Sequence, residues 1–162
     1  MNFIVLCVGL QEAAFWRSHA GGLRSPAQPA ESLIAKTKHD DLPVVLSPFT
    51  YLSIQYYASA DWHNRFVTLL DSKRAIENVG TDNMEVELRI FAAYAPLRAT
   101  EYEDFIKEHP IKEHPAFLVY ASNSGDDWWP TALAREHDSV ELLAGDGDDR
   151  VFLVHVKSES RQ

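Results

Sequence analysis

The chain has 162 residues, 46% apolar and 24% charged, with a formal net charge of −9. That length and balance fit one ordinary domain with a real core. The acidic charge and the lack of a basic patch remove any electrostatic reason to hold nucleic acid or anionic lipid. The single cysteine, Cys7, excludes an intrachain disulfide, and no Cys/His cluster has zinc spacing. A cytosolic protein and an extracytoplasmic one without disulfides both fit.

The most apolar run is residues 2–10, far short of the roughly 20 residues that span a bilayer. No Lys or Arg precedes it, as a signal peptide would require. Phe15, Trp16 and Arg17 follow in an amphipathic stretch. It reads either as the interfacial end of a membrane helix, making residues 1–17 its remnant, or as a surface helix or first strand against the core. Residues 18–29, with Gly21, Gly22, Pro26 and Pro29, have a linker composition and place the domain boundary. Residues 30–157 then form the folded domain, and 158–162 a polar tail.

Pro29 opens a predicted short helix running to about Lys38. Leu42-Pro43-Val44-Val45-Leu46 leaves this polar segment and stops at Ser47-Pro48. A short apolar run of this kind reads as a buried strand of a parallel sheet. A predicted helix over 49–58 follows, then a loop at 61–64, a strand at 65–70 and a short helix or turn at 72–78. Asn83 to Ala95 is the strongest helical pattern, with Asp82 and Glu85 as a capping pair and Leu88 among its inward residues. Glu85 and Arg89 are expected to pair on its wet side. Thr100 and Glu103 are expected to cap another short helix. A third strand is expected at 116–120, a polar loop at 121–127, and a last helix opened by Trp128-Trp129-Pro130. Strands at 140–143 and 151–156 are joined by a turn at 145–149. The predicted fold class is α/β: a three-layer, mostly parallel sheet of about five strands with a C-terminal antiparallel hairpin.

Chemical motifs are sparse. Asp146-Gly147-Asp148-Asp149 has the start of a calcium loop, but Lys157 stands where a bidentate Glu is needed, so a plain turn is expected. His109 and His114 are five apart, each before a proline and without a third ligand nearby, so no metal site is expected. No Gly-x-Ser-x-Gly elbow and no Gly-x-Gly-x-x-Gly loop follows any strand. That disfavours a hydrolase and a dinucleotide enzyme; no catalytic residue and no cofactor is assigned. What remains is a binding edge. Ser47, Asp71, Asp126 and Asp127 stand at or after strand ends, with Tyr51, Trp128 and Trp129 close in sequence. Carboxylates beside aromatic faces suit carbohydrate: acids accept hydroxyl protons and rings cover C–H faces. In the opposing reading Asp126 or Asp127 caps the last helix and the indoles fill the core.

A resemblance joins many short stretches: Asp41-Leu-Pro-Val-Val-Leu-Ser47, Tyr51-Leu-Ser-Ile-Gln-Tyr-Tyr-Ala58, Arg65-Phe-Val-Thr-Leu-Leu-Asp71, Gly80-Thr-Asp82, Tyr94-Ala-Pro-Leu97, Phe117-Leu-Val-Tyr120 and Asp127-Trp-Trp-Pro130. Together they resemble the C-terminal soluble region of bacterial multi-pass membrane glycosyltransferases, family 39-like enzymes related to dolichyl-phosphate-mannose protein mannosyltransferases. Gln11-Glu-Ala-Ala-Phe-Trp16 resembles the exit from their last membrane helix. The resemblance implies a polyprenyl-phosphate sugar donor used by the full-length enzyme, whose catalytic carboxylate lies in a region with no counterpart here. This chain is then expected to be an accessory, non-catalytic domain at the extracytoplasmic face of the inner membrane. Its implied partners are a membrane domain of the same or a neighbouring polypeptide and a lipid-linked sugar or acceptor. The alternative is a stand-alone, cytoplasmic α/β module binding a small polar ligand such as a carbohydrate.

Overall fold

The computed structural model describes residues 25–108, 116–122, 127–136 and 139–156. The membrane-remnant reading of 1–17, most of the linker, His109, His114, Asp126 and the tail therefore lie outside the described residues.

The described elements run α1 (Ala27–Ala35), β1 (Val44–Leu46), α2 (Pro48–Tyr57), α3 (Ala60–His63), β2 (Phe66–Leu70), α4 (Ser72–Val79), α5 (Asn83–Ala92), β3 (Ala99–Glu101), α6 (Tyr102–Glu108), β4 (Ala116–Ala121), α7 (Trp129–Glu136), β5 (Ser139–Asp146) and β6 (Asp149–His155). One sheet takes all six strands in the order β3-β2-β1-β4-β6-β5. β3, β2, β1 and β4 are parallel, and β6 runs antiparallel to both β4 and β5. The sheet is thus mostly parallel with an antiparallel C-terminal hairpin, as the sequence leads one to expect.

β1 is central, with Val45 level with Val67 of β2 and Val119 of β4. Burial on both faces is why these strands read as unbroken apolar runs. Alternate residues feed two cores. Val44, Leu46, Phe66, Leu118 and Tyr120 face α1, α2 and Leu88 of α5. Val45, Val67, Phe117 and Val119 face Ala75 of α4, Phe105 of α6, and Trp129 and Leu133 of α7. Helices cover both faces, which completes the three layers.

Several local expectations change. α1 begins at Ala27, so the last three residues of the expected linker are helical; Pro29 is tolerated because the first four helical N–H groups need no intrahelical partner. Residues 60–63 form a helical turn rather than a loop, with Trp62 stacked on Phe66 at 5.6 Å. Thr100 does not cap a helix. It lies in β3, level with Leu69 of β2, and the helix starts at Tyr102. Three residues are too few to display an alternation, so the sheet contact decides the state. α5 stops at Ala92, and Asp82 makes no side-chain cap. Glu85 is not on a wet face: it is 3% exposed. Arg89 instead grips Glu101, at 2.6 Å and 2.9 Å, and donates to Ser72 at 2.8 Å. The strand that supplies Glu101 is the short β3. The final hairpin turns through Gly147, whose φ of +59° an L side chain would resist, and Asp148. A positive φ at the first turn position alone is the type II′ pattern. β6 lies inside the sheet against β4, and β5 takes the edge.

Candidate functional site

β1 hands the chain to α2 on one face, and β4 hands it to α7 on the other. Connections that diverge in this way open a crevice beyond the carboxyl ends of the two strands, the usual ligand position in an open α/β sheet. Ser47 closes the β1 side. It is 1% exposed, its carbonyl accepts the Thr50 and Tyr51 amides, and its Oγ lies 3.3 Å from Thr50 Oγ1. The open space lies on the β4 side.

There a cavity of about 390 Å³ is lined by Ala121, Ser122, Asp127, Pro130, Thr131, Asp148, Arg150 and Phe152. Three pieces of chain build it: the end of β4, the first turn of α7 and the start of β6. The antiparallel register sets Ala121 opposite Arg150 and Val119 opposite Phe152, so a cation and an aromatic ring reach the carboxyl edge from a strand running the other way. Asp127 anchors the wall, accepting the Ser122 amide at 2.9 Å. Arg150 is half-buried. Its Nη1 donates to the carbonyls of Gly147, at 2.6 Å, and Asp149, at 2.8 Å. Among the described residues its guanidinium makes no ion pair. The hydroxyls of Ser122 and Thr131 complete a lining that can accept and donate hydrogen bonds around one apolar face.

On the opposite face a smaller cleft of about 260 Å³ lies between α1 and the hairpin, lined by Gln28, Pro29, Ser32, Leu33, Lys36, Asp146 and Asp149. Behind it, Tyr120 is 3% exposed. Burial pushes its phenol far above the ordinary tyrosine range, and its hydrogen bond to Asp149 and the charges of Asp149 and Asp127 add to the shift. It stays protonated and donates to Asp149. This pair locks the hairpin to β4 and leaves the phenol unsuited to act as a base.

The expected binding residues separate. Asp127 lines the larger cavity. Asp71, at the end of β2, caps α4 by accepting the Arg74 amide at 2.9 Å and pairs with the Arg74 guanidinium. Tyr51 is fully buried, and its hydroxyl accepts the Arg98 amide at 2.8 Å. Trp128 and Trp129 are 7% and 0% exposed and stack on each other at 4.3 Å. Buried rings offer no platform to a sugar, which counts against the stacking role considered for them. Phe152 is the ring at the cavity. Arg150 and Phe152 escape sequence reasoning because the β4–β6 pairing that brings them to the cavity is non-local; Pro130 and Thr131 come from the first turn of α7 and Asp148 from the hairpin turn. The one available signal was Arg150 beside the hairpin turn.

Among the described residues no group of three or more His, Cys, Asp or Glu could hold a metal ion. No helix among them is long and apolar enough to cross a membrane. Comparison of the chain with protein-family models, characterised proteins and solved structures finds no match.

Proposed function

We propose that this chain is a binding domain that holds a small, hydroxyl-rich ligand of carbohydrate type in the cavity between β4, α7 and β6. The observation that carries this reading is the lining itself. An anchored carboxylate, two hydroxyls and a fixed guanidinium surround one aromatic face at the sheet edge where the chain connections diverge. Such a mix can satisfy a ring of hydroxyls while covering C–H surface. The resemblance to membrane glycosyltransferases supports the larger setting: an accessory domain that presents a sugar-bearing donor or acceptor to a membrane partner carrying the catalytic centre.

Titration of the isotope-labelled protein with glucose and mannose, followed by amide nitrogen–proton spectra, tests the binding role. Shifts concentrated at Ser122, Asp127, Thr131 and Arg150 are expected at millimolar sugar. Spectra unchanged at those amides would overturn it. The setting has its own test: the reading frame upstream of Met1 should encode membrane helices, and a stop codon directly before Met1 would leave the stand-alone module.

A further inference from the structure

The larger cavity contains three charged side chains, and they are not equally answered. Asp127 receives the Ser122 amide and stands just before α7, whose amino-terminal N–H groups and dipole favour a negative charge. Asp148 sits in the exposed hairpin turn, where bulk water screens a charge about four times better than the protein surface does. Arg150 is half-buried, and among the described residues no carboxylate neutralises it.

Its hydrogen bonds fall on one nitrogen of the group. Both backbone contacts, to Gly147 and Asp149, use Nη1. They hold the guanidinium plane in place, and among the described residues Nε and Nη2 have no hydrogen-bond partner, which leaves two parallel donors. The stem is confined as well: a Cβ built at Gly145 would stand 3.1 Å from Arg150 Cδ. A planar two-donor edge held this way matches an oxyanion with two acceptor oxygens. Holding it in advance reduces the ordering cost of binding.

Resting on the carbohydrate reading above, we propose that Arg150 is a specificity-determining residue, and that the ligand is a polyhydroxylated molecule bearing one oxyanion, a sugar carboxylate or a sugar phosphate. The oxyanion takes the Nε–Nη2 edge, and the hydroxyls take Asp127, Ser122 and Thr131. Asp127 and Asp148 line the same cavity and attract an ammonium, so an amino sugar serves as the opposing control.

Affinities for glucose, glucuronate, glucose 1-phosphate and glucosamine, measured on the full chain by calorimetry at physiological ionic strength, test this. Glucuronate or glucose 1-phosphate should bind about tenfold tighter than glucose, the scale of one hydrogen-bonded charge contact; which of the two leads identifies the oxyanion. Glucosamine should bind more weakly than the better anionic sugar; tighter binding would show that the two aspartates, not Arg150, set the charge preference and would overturn the proposal. In Arg150→Gln the ratio of charged to neutral sugar should fall to about one, and Arg150→Lys should give an intermediate ratio because it keeps the charge but loses the fork. Amide spectra establish that each variant is folded, and the wild-type ratio stands without either variant. Equal binding of glucose and both anionic sugars would overturn the role of Arg150 while leaving the carbohydrate reading intact. Failure of all four to bind would overturn both.

Discussion

Two aspartates mark the two halves of the carboxyl edge, and they differ in what surrounds them. Asp71 follows β2 and is enclosed by its own helix: it caps α4 and pairs with Arg74, and the Arg74 guanidinium lies 4.3 Å over the Tyr102 ring. Asp127 follows β4 and accepts the Ser122 amide, and the neighbouring strand β6 arrives antiparallel, setting Arg150 opposite Ala121 at the cavity that Asp127 also lines. A strand-end acid followed by a helix is a cap by default; Asp127 differs in lining a cavity at the carboxyl edge.

The two halves share a floor. From Arg74 the packing passes through Tyr102 to Trp129, 5.4 Å away, and on to Trp128, beside Asp127. The largest effect is expected here. Trp129→Ala should lower unfolding free energy by about 3–5 kcal/mol, the usual cost of removing a fully buried large aromatic residue. Urea denaturation measures it, and a loss below about 1 kcal/mol would break the claim that one core supports both aspartates. Asp71→Ala sharpens the contrast. It should cost about 1–2 kcal/mol through the lost cap and ion pair while sugar-induced shifts at Ser122 and Thr131 stay as in the wild type. Loss of those shifts would mean that the β2 half is part of the site.

Titration offers a smaller and pH-dependent test. Desolvation raises the Glu85 carboxyl above its ordinary range, with the Asp82 and Asp71 charges adding and its own backbone and Arg89 opposing. The folded state then holds the Glu85 proton more tightly than the unfolded chain. Stability is therefore fully present below the ordinary carboxyl range and falls as pH rises through the raised value. Glu85→Gln should flatten that fall, gaining stability relative to wild type near pH 7 and none near pH 4; unfolding midpoints at the two values decide it. The smallest effect belongs to Gly80, which ends α4 at φ +79° with its amide on the Ile76 carbonyl. A Cβ there meets nothing within 4 Å. Gly80→Ala should thus cost only backbone strain, about 1 kcal/mol, read as a small drop in melting temperature with ligand shifts unchanged.

What could be read from the residues follows the range of the contacts involved. β1, β2 and β4 were legible because burial on both faces leaves a nearly continuous apolar run, broken only by Thr68 in β2, and the closing hairpin because Gly147 marks its turn. β3 was not: three residues carry no period, and Thr100 before Glu103 imitates a helix start. Without β3, the Arg89–Glu101 pair could not be foreseen. Of the site, Asp127 was legible as an acid after a strand. Arg150 and Phe152 were not, because they reach the cavity only through pairing with Ala121 and Val119, about 30 residues earlier. The tryptophans misled because their composition suits both a sugar platform and a core, and only packing separates the two.

The most direct test of the contrast between the halves is a single amide titration of the wild-type protein with a neutral sugar such as glucose. Shifts clustered at Ser122, Asp127, Thr131 and Arg150 are expected, with Asp71, Ser72 and Arg74 unmoved. Shifts centred on the Asp71 half, or none at either aspartate, would contradict it.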